Sequence, residues 1–383
     1  MSSPRRRPRS PAPLDDDDLL SEILLRLPPL PSSLPRASAV CRRWRRIATD
    51  PRFCRRFRAH HRRRNPPLLG CFVEDIDSIH FQPIMEAPNR VPQARFAFPI
   101  RAGDPLGCRH GLVLFLRNAH QLLVWDPITG DQHRVRVPPG FDDDHSVGGA
   151  VLRAAAGHFQ VVLVGNSEAE PTRAVASVYS SATGEWGDLV STPLPPKAPM
   201  SYRSTSVSMN HPCVLIEGSC YWSLAHGPGI LVFNLESKSL SVIHLPVDVS
   251  GLAHYDFSVV RAEGGRLGFF IVPGFSAQLW KWNRDCDGAA SWVLERSIDL
   301  DKLLSLDPDD EREHPIVAGF AEDNNVVLLW SFVGVFTLHL ESLHSKKLFR
   351  VKRWFCCLPF EGVYTADADI GAGRDGAKLL HNT

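Results

Sequence analysis

The chain of 383 residues lacks the features that identify several protein classes. It has no apolar run of the roughly 18–20 residues that a membrane-spanning helix needs. Its opening, MSSPRRRPRSPAP, is basic but has no apolar core behind it, so we expect neither a secretory signal nor a transit peptide. These absences predict a protein with no membrane association.

Paired metal-binding motifs are also absent. The nine cysteines include no C-x-x-C pair, and the 16 histidines form no H-E-x-x-H motif. Because zinc sites need Cys and His ligands at short, fixed spacings, we predict no metal ligands and no cofactor. Without a secretory signal, an odd number of cysteines indicates reduced thiols, so we expect a cytoplasmic and/or nuclear protein.

The motifs of common enzymes are missing as well. The chain has no G-x-S-x-G elbow and no G-x-x-x-x-G-K-[ST] loop. We interpret the acidic run at 142–144 as a charged loop, and Cys356 and Cys357 as core residues of an aromatic strand. We therefore predict no catalytic residue and a protein that is not an enzyme.

The charge is divided unevenly along the chain. Residues 1–64 carry 17 basic and 6 acidic side chains, whereas the remainder carries 26 basic and 36 acidic ones. The change falls at Asn65-Pro66-Pro67 and predicts a domain boundary there. We expect a disordered basic tail over 1–13, a helical domain over 14–64 and a second domain over 65–383.

Residues 14–64 show the spacing of short amphipathic helices. The first apolar stripe consists of Leu19, Leu20, Ile23, Leu24 and Leu27. An acidic run at 15–18 precedes it, and an aspartate there is expected to cap the free N–H groups of the first turn. Pro28 and Pro29 are expected to end this helix, because proline lacks the backbone N–H.

A second helix is predicted to begin at Ser32 and Ser33, whose hydroxyls are candidate caps. Its apolar stripe consists of Ala37, Val40, Cys41, Trp44 and Ile47. Asp50 and Pro51 end this helix and open a third one. Three or four short helices in about 50 residues are near the lower limit for independent stability, so a partner or a neighbouring domain is expected to complete their core.

The stretch DDLLSEILLRLPPLPSSLPRASAVCRRWRRIATDPRF resembles an F-box of the plant type. The positions that carry the resemblance are Leu19, Leu20, Glu22, Ile23, Leu24, Arg26, Leu27, Pro28, Arg36, Ser38, Val40, Cys41, Trp44, Ile47, Pro51 and Phe53. The family opens with Leu-Pro directly before an acidic pair. This chain has Asp15 and Asp16 there, and Leu14 stands one position too early.

The resemblance implies that this segment binds a Skp-type adaptor and, through it, a cullin scaffold. The adaptor-binding residues that it implies are Leu14, Leu19, Leu20, Ile23, Leu24, Leu27, Pro28, Leu34, Val40, Cys41, Trp44 and Ile47. Such binding lays an apolar helix face against another protein, with a few large side chains contributing most of the affinity. The alternative is that these residues only form the core of a helical hairpin; Trp44 suits both roles.

The arginine clusters at 5–9 and 55–64 suggest contacts with phosphates. However, the chain has no zinc-finger or basic-zipper pattern. We interpret these arginines as solvated faces and do not expect nucleic acid as a partner.

After residue 67, short runs rich in Val, Leu, Phe and Trp alternate with Gly/Pro/Asp/Asn/Ser clusters, which predicts an all-β domain. One kind of run recurs as LLGCFV, GLVLFL, FQVVLV, GSCYWSL, GRLGFFIV and NNVVLLW, and is interpreted as an inner strand. A second kind usually follows it, as in QLLVWDPITGD and GILVFNLESKS, and a third, as in HRVRVPP, ends in proline. The period of roughly 50 residues is typical of Kelch propeller blades.

Six such units predict a propeller of about six blades. We expect the segment from Val363 to close the ring by pairing with the first blade. A lone Trp125-Asp126 dipeptide argues against a WD40 array, which repeats it in every blade. A pair of β-sandwiches is the structural alternative. The runs V-W-D-P-x-T-G and V-F-N-L-E-S resemble the F-box-associated, Kelch-like propeller domains of plant F-box proteins.

The expected fold is therefore an α + β multidomain chain, with a small all-α F-box followed by an all-β propeller-like domain. The resemblance implies a non-catalytic, substrate-recognition subunit of a Skp–cullin–F-box ubiquitin ligase, whose propeller binds a target protein. The alternative is a Kelch-like interaction scaffold without a ligase role. The substrate-binding residues are not identified by the sequence, although the acidic charge of the propeller favours a basic target.

Overall fold

The computed structural model describes residues 16–62, 64, 66–75, 78–96, 103–117, 120–141, 147–197, 202–208, 211–246, 257–284, 290–310, 312, 314–350 and 357–365. The basic tail at 1–13, Leu14 and the acidic run at 142–144 lie outside these residues. Within the described residues, short helices precede a six-bladed β-propeller, which confirms the predicted fold class.

In the part of the N-terminal module that the structure describes, there are four helices. They are α1 (Asp17–Leu25), α2 (Ser33–Ser38), α3 (Arg42–Ala48) and α4 (Pro51–His61). The side chain of Asp50 accepts hydrogen bonds from the first backbone N–H groups of α4, and Pro51 occupies the first turn. The helices enclose a small apolar core whose largest members include Leu20, Leu24 and Phe57.

The predicted second helix is two helices, α2 and α3, separated by a turn at residues 39–41. Cys41 precedes α3 with an extended backbone (φ −161°, ψ 170°), so its N–H and C=O cannot continue α2. The prediction that the Ser32 hydroxyl caps a helix is wrong, because that side chain makes no capping bond. Its backbone N–H donates to Asn89 Oδ1 of the propeller at 3.2 Å instead.

Each blade is an antiparallel sheet. Blade 1 contains β1 (Leu68–Asp75) and β2 (Ser78–Pro83), and blade 2 contains β3 (Asp104–Arg109), β4 (Leu112–Arg117), β5 (Gln121–Trp125) and β6 (Gln132–Arg136). Blade 3 contains β7 (Val147–Arg153), β8 (Phe159–Asn166), β9 (Arg173–Ser180), β10 (Glu185–Trp186) and β11 (Val190–Pro193), and blade 4 contains β12 (Ser206–Val207), β13 (Val214–Ile216), β14 (Ser219–Ala225), β15 (Gly229–Asn234) and β16 (Ser239–His244). Blade 5 contains β17 (Phe257–Arg261), β18 (Leu267–Ile271), β19 (Ser276–Arg284) and β20 (Ala290–Asp299), and blade 6 contains β21 (Ile316–Ala321), β22 (Val326–Ser331), β23 (Gly334–His339) and β24 (Ser345–Lys347). A short helix, α5 (Leu300–Leu304), joins blades 5 and 6.

The recurrent runs of the first kind are the second strands of the blades, not the inner ones. In blade 2, for example, GLVLFL forms β4, and β3 lies inside it. The inner strands of successive blades contact each other around the ring, as β3 does with β7 and β17 with β21. The inner strands were not predicted from the sequence because several are short or are interrupted by Gly and Pro, as in DPLGCR.

The ring closes in blade 1 through a last strand, β25 (Cys357–Glu361). β25 pairs antiparallel with β1, with Phe72 opposite Leu358. The prediction that the segment from Val363 provides this strand is therefore wrong, although a C-terminal segment does pair with the first blade. Val363 lies beyond the strand, and its side chain is buried among the helices of the N-terminal module.

Most of the apolar core lies between neighbouring blades. One cluster joins blades 2 and 3, another joins blades 3 and 4, and the largest spans blades 4, 5 and 6. Burial decreases from the axis outward: five of the six residues of β4 are buried, whereas in β6 only Val135 is. This gradient explains why the inner halves of the blades are continuous apolar runs and the outer strands carry polar residues.

Candidate functional site

The outward face of α1 is the first candidate site. The Asp16 side chain accepts hydrogen bonds from the backbone N–H groups of the first turn and begins the helix, as predicted for an aspartate of this run. Leu19 and Ile23, one turn apart, are 49% and 43% exposed. Leu20 and Leu24 point to the opposite side and are fully buried. The single predicted stripe is therefore two faces, one in the module's core and one in solvent.

A second exposed apolar position lies in the turn before α3. Val40 is 62% exposed, and Cys41 is exposed beside it. The carboxylate of Asp17 accepts from Arg43 at 2.6 Å and from Arg46 at 2.7 Å, and these contacts hold the start of α1 against α3. The two guanidinium groups lower the pKa of the Asp17 carboxyl, with the Arg43 hydrogen bond contributing most. The ion pairs thus connect α1, which carries Leu19 and Ile23, to the helix that directly follows the turn with Val40.

The structure divides the predicted adaptor-binding residues into three groups. Those with exposed side chains are Leu19, Ile23, Pro28, Val40 and Cys41. Those that are half-buried are Leu27, Trp44 and Ile47. Those that are buried in the module's own core are Leu20, Leu24 and Leu34. Leu14 lies outside the described residues.

Three of the predicted adaptor-binding residues, all leucines, lie in the core of the module. A side chain enclosed by its own helices cannot contact a partner directly unless the module opens. Leu20, Leu24 and Leu34 therefore match the alternative stated for them, the core of the helical module. Adaptor binding stays a prediction for the exposed and for the buried residues alike.

The second candidate site is a cluster of charged residues at the centre of the propeller, here called the hub. It consists of Arg109, Arg261, Glu322, Asp323 and Glu361. Each of these residues ends an inner strand or lies one or two positions beyond its end, and they come from blades 1, 2, 5 and 6. The ends of inner strands converge on the axis of a propeller, so residues far apart in sequence meet there.

Arg109 and Glu322 form the core of the hub. Arg109 donates to both carboxylate oxygens of Glu322, with Nε–Oε1 and Nη2–Oε2 distances of 2.5 and 2.7 Å. Arg109 also donates to the Cys213 carbonyl at 2.8 Å, while Glu322 accepts from the Leu215 N–H at 2.9 Å. The buried pair therefore joins blades 2 and 6 to each other and to the chain of blade 4.

The titration behaviour of the hub follows from burial and from this pairing. Burial alone would raise the pKa of Glu322, but attraction to Arg109 outweighs it and holds that pKa below its usual value. Burial raises the pKa of Asp323 to about 6, with the Glu322 charge adding to the effect. Burial and the charge of Asp323 raise the pKa of Glu361 to about 8.

The hydrogen bonds of the hub are structural in character. The Glu361 carboxylate accepts from the backbone N–H groups of Asp323 at 3.1 Å and Asn324 at 2.8 Å, so it ties β25 to the turn after β21. Arg261 donates to two carbonyls, those of Leu215 and Glu322. Donors and acceptors are thus used to join strands, and we assign no catalytic step to the hub.

Two buried thiols, those of Cys213 and Cys220, lie next to the ion pair of Arg109 and Glu322. Burial alone would raise the pKa of Cys213, but a hydrogen bond from Cys220 and the charge of Arg109 lower it. The bond with Cys213 raises the pKa of Cys220. Cys220 is fully buried and Cys213 is 6% exposed, so neither thiol offers a nucleophile to a large substrate.

Sequence reasoning missed the hub, although the sequence carries a signal for it. In four places of the sequence, an apolar run ends at a charged residue that stands directly before a turn. The sequences at these places are CRHG at 108–111, VRAEGG at 260–265, AEDN at 321–324 and FEG at 360–362. An ionisable residue in such a place has to find a partner or remain in water. The sequence alone could not show that the partners come from across the ring.

The residues described contain no group of three His, Cys, Asp or Glu side chains placed to hold a metal ion. In the same parts of the chain, none of the helices combines the length and the apolar character that crossing a bilayer requires.

Two protein-family models match the chain. One, described as F-box-like, matches residues 17–60. The other, described as the β-propeller of F-box proteins similar to AT5G49610, matches residues 106–359. The two matches cover most of the helical module and most of the propeller.

Relatives with curated names are distant. At3g21120 of Arabidopsis thaliana, named as an F-box protein, is 24% identical over 321 residues, which cover 78% of this chain and 85% of the relative. At3g16210 of the same organism, also named as an F-box protein, is 25% identical over 245 residues, 62% of each chain.

Similarity to solved structures is weaker. A chain of the nidogen/laminin complex has a TM-score of 0.40 at 8% identity, covering 75% of this chain and 95% of that one. Apo AztD from Citrobacter koseri has a TM-score of 0.35 at 12% identity, covering 70% and 77%. Scores this low carry no argument about function.

Proposed function

Since this chain belongs to the family of F-box proteins with an AT5G49610-like β-propeller, we propose that it is the substrate-recognition subunit of a Skp–cullin–F-box ubiquitin ligase. In this role the helical module binds a Skp-type adaptor, and through it a cullin scaffold. The propeller binds the target protein. No bond is made or broken by the chain itself; it holds a target lysine near a ubiquitin-loaded enzyme carried by other subunits.

The observation that carries the proposal is the exposed apolar surface of the helical module. Leu19, Ile23 and Val40 are large aliphatic residues that the module leaves in solvent, although its own core is small. Exposed apolar side chains on neighbouring elements of a small module mark a surface for a partner. A helix face with one residue per turn is suited to packing against another helix.

Several parts of the proposal rest on family resemblance and on the sequence. The domain boundary at about residue 65 and the Kelch type of the blades are proposed from the charge shift and the repeat length. A cytoplasmic or nuclear location is proposed from the cysteines, which form no disulfide within the described residues. The residues that bind the target are not assigned.

The second candidate function is a Kelch-like scaffold that binds proteins without a ligase role. The exposed residues of α1 argue against it, because a pure scaffold needs no adaptor-binding face. The acidic charge of the propeller is compatible with both functions and favours a basic partner in each.

Binding of the purified full-length chain to a Skp-type adaptor tests the proposal. We expect the double variant Leu19→Ala/Ile23→Ala to weaken binding by about 2–4 kcal/mol, roughly 30- to 1000-fold, because it truncates two anchor residues. Alanine suits a helix, and both side chains lie outside the core, so the module should stay folded.

The matched control is Val293→Ala/Leu294→Ala on β20, whose side chains are 48% and 44% exposed. This pair has the same exposure as Leu19 and Ile23 but lies on the propeller, so adaptor binding should not change. Absence of binding by a folded wild-type chain would refute the ligase role and favour the scaffold.

A further inference from the structure

The residues that follow the closing strand lie between the helical module and the propeller. This linking segment, residues 362–365, continues directly from β25. The backbone N–H of Gly362 donates to the Pro67 carbonyl at 3.1 Å, so the segment runs beside the chain that leaves the helical module. Both ends of the propeller chain therefore meet at the same place.

The side chains of the linking segment contact the two modules in alternation. Val363 is 3% exposed and belongs to the apolar core of the helices, together with Leu20, Leu24 and Phe57. Tyr364 packs on the other side against Phe96, in the core of blade 1, with a ring centroid distance of 6.0 Å.

Thr365 returns to the helices. Its hydroxyl accepts from Arg58 Nη1 of α4 at 2.7 Å, and Arg58 is 4% exposed. A buried guanidinium requires hydrogen-bond acceptors, because its donors are removed from water. The linking segment thus supplies the helical module with an apolar core residue and with an acceptor for a buried charge.

The position of the linking segment depends on ring closure. β25 is held by its pairing with β1 and by Glu361, which accepts from the turn after β21. Asn324 Nδ2 of that turn also donates to the Pro66 carbonyl at 2.9 Å. If β25 leaves the sheet, Val363 and Thr365 cannot stay in place, because only one and three residues, respectively, separate them from the strand.

We propose that the linking segment couples closure of the propeller to the folding of the adaptor-binding module. Val363 is the one buried member of the module's core cluster that comes from outside the helices, and it lies there only when β25 is paired. A chain with an open or damaged propeller would then present a loosened docking face and bind the adaptor weakly. This inference rests on the proposed adaptor role, but the structural coupling can be measured without the adaptor.

The test is the full-length variant Val363→Asp, with Val293→Asp on the exposed surface of β20 as the matched control. Hydrogen exchange should show at least about tenfold lower protection of the amides of α1 and α4, with β8 and β9 unchanged. Adaptor affinity should fall by about tenfold or more. The control should leave both unchanged. Unchanged exchange in α1 and α4 would overturn the inference.

A milder variant keeps the test decisive if Val363→Asp unfolds the whole chain. Val363→Ala should raise exchange in α1 and α4 by about threefold or more while the propeller stays protected. If the wild type binds no adaptor, the proposed function fails, and exchange in α1 and α4 alone then decides the coupling. Exchange that rises only in the propeller, with both helices unaffected, would refute it.

Coupling also predicts the reverse effect. A ligand that stabilises the folded module must stabilise the state in which β25 is paired, because coupling free energies are reciprocal. Saturating wild-type chain with adaptor should therefore slow exchange of the β25 amides by about threefold or more. Identical β25 exchange with and without a bound adaptor would contradict the coupling.

Discussion

Replacing Arg109 by methionine should show how much the hub contributes to the stability of the propeller. Arg109→Met keeps a side chain of similar length but removes the donors to Glu322 and to the Cys213 carbonyl. Arg109 is 6% exposed and Glu322 is 8% exposed, so water cannot replace the lost bonds without rearrangement. A buried carboxylate without its partner costs about 3–5 kcal/mol, and we expect the free energy of unfolding to fall by that amount.

The companion variant Glu322→Gln removes the negative charge but keeps an acceptor for the Leu215 N–H. In the double variant Arg109→Met/Glu322→Gln no charge of the pair is left buried, so its loss of stability should be smaller than the sum of the two single losses. We expect a coupling of about 2–3 kcal/mol. The surface variant Arg173→Met, which breaks a pair with the exposed Glu170, should be almost neutral.

Denaturation with guanidinium chloride, followed by tryptophan fluorescence, measures these changes; Trp222 is a buried reporter in blade 4. The pH dependence supplies a second check. In Arg109→Met, the uncompensated Glu322 carboxyl has a raised pKa, so the folded state takes up a proton more readily than the unfolded state. The loss of stability of Arg109→Met relative to the wild type should therefore become smaller as the pH is lowered. A loss below about 1 kcal/mol, or additive single losses, would refute the structural role of the pair.

Two further predictions concern ring closure. In the wild-type chain, the pKa of Glu361 in the folded state is raised to about 8. Between the ordinary pKa of a glutamate and pH 8, the folded state therefore holds a proton that the unfolded state has already released. The stability contributed by Glu361 should accordingly fall as the pH rises from about 5 to about 8, by up to about 1.4 kcal/mol per pH unit. The variant Glu361→Gln should remove this pH dependence, whereas the control Glu341→Gln, at an exposed residue, should not. A wild-type slope equal to that of Glu361→Gln in pH-resolved unfolding would contradict this. A second prediction concerns Gly319, where a methyl group would lie 2.4 Å from the Cys357 carbonyl oxygen, so Gly319→Ala should lower the free energy of unfolding by about 1–3 kcal/mol in thermal unfolding. The control Gly187→Ala, where the nearest contact of the added methyl group is 3.5 Å, should not lower it. Equal effects of the two variants would show that β25 shifts at little cost to make room for the methyl group.

The helical module was largely predictable because its signals are local. The Asp16 cap, the Asp50-Pro51 helix start and the apolar stripe of α1 each depend on residues within one or two turns. The break between α2 and α3 was not predictable in this way. Apolar positions continue at helical spacing across residues 39–41, and only the extended backbone of Cys41 interrupts them.

The propeller shows the opposite balance. Repeated apolar runs predicted the blades, since their second and third strands are buried on both faces. The inner strands and the hub depend on contacts across the ring: Arg109 and Glu322 are separated by 213 positions. Neither periodicity nor composition encodes which distant residues pair, so the role of these charges could be found only from the fold.

The same distinction explains why Val363 was misplaced. Its sequence surroundings, short and β-like, fit a closing strand as well as they fit a packing residue beyond one. What decides is the register of β25, in which Cys357 lies opposite Val73 and the strand ends at Glu361. A shift of the strand by a few residues would bring Val363 into the sheet and leave the helical core without it.

A subunit that works by proximity depends on the orientation of its two binding modules. If the helices and the propeller were joined only by the chain at residues 62–68, a bound target would sample many positions relative to the adaptor, and its effective concentration at the reacting enzyme would be low. The linking segment, which includes the buried contact of Arg58 with Thr365, and the bond between Ser32 and Asn89 add connections at different points of the module. These contacts restrict rotation about the connecting chain. Under the proposed function, the residues that join the two modules therefore contribute to target positioning even though they contact neither the adaptor nor the target.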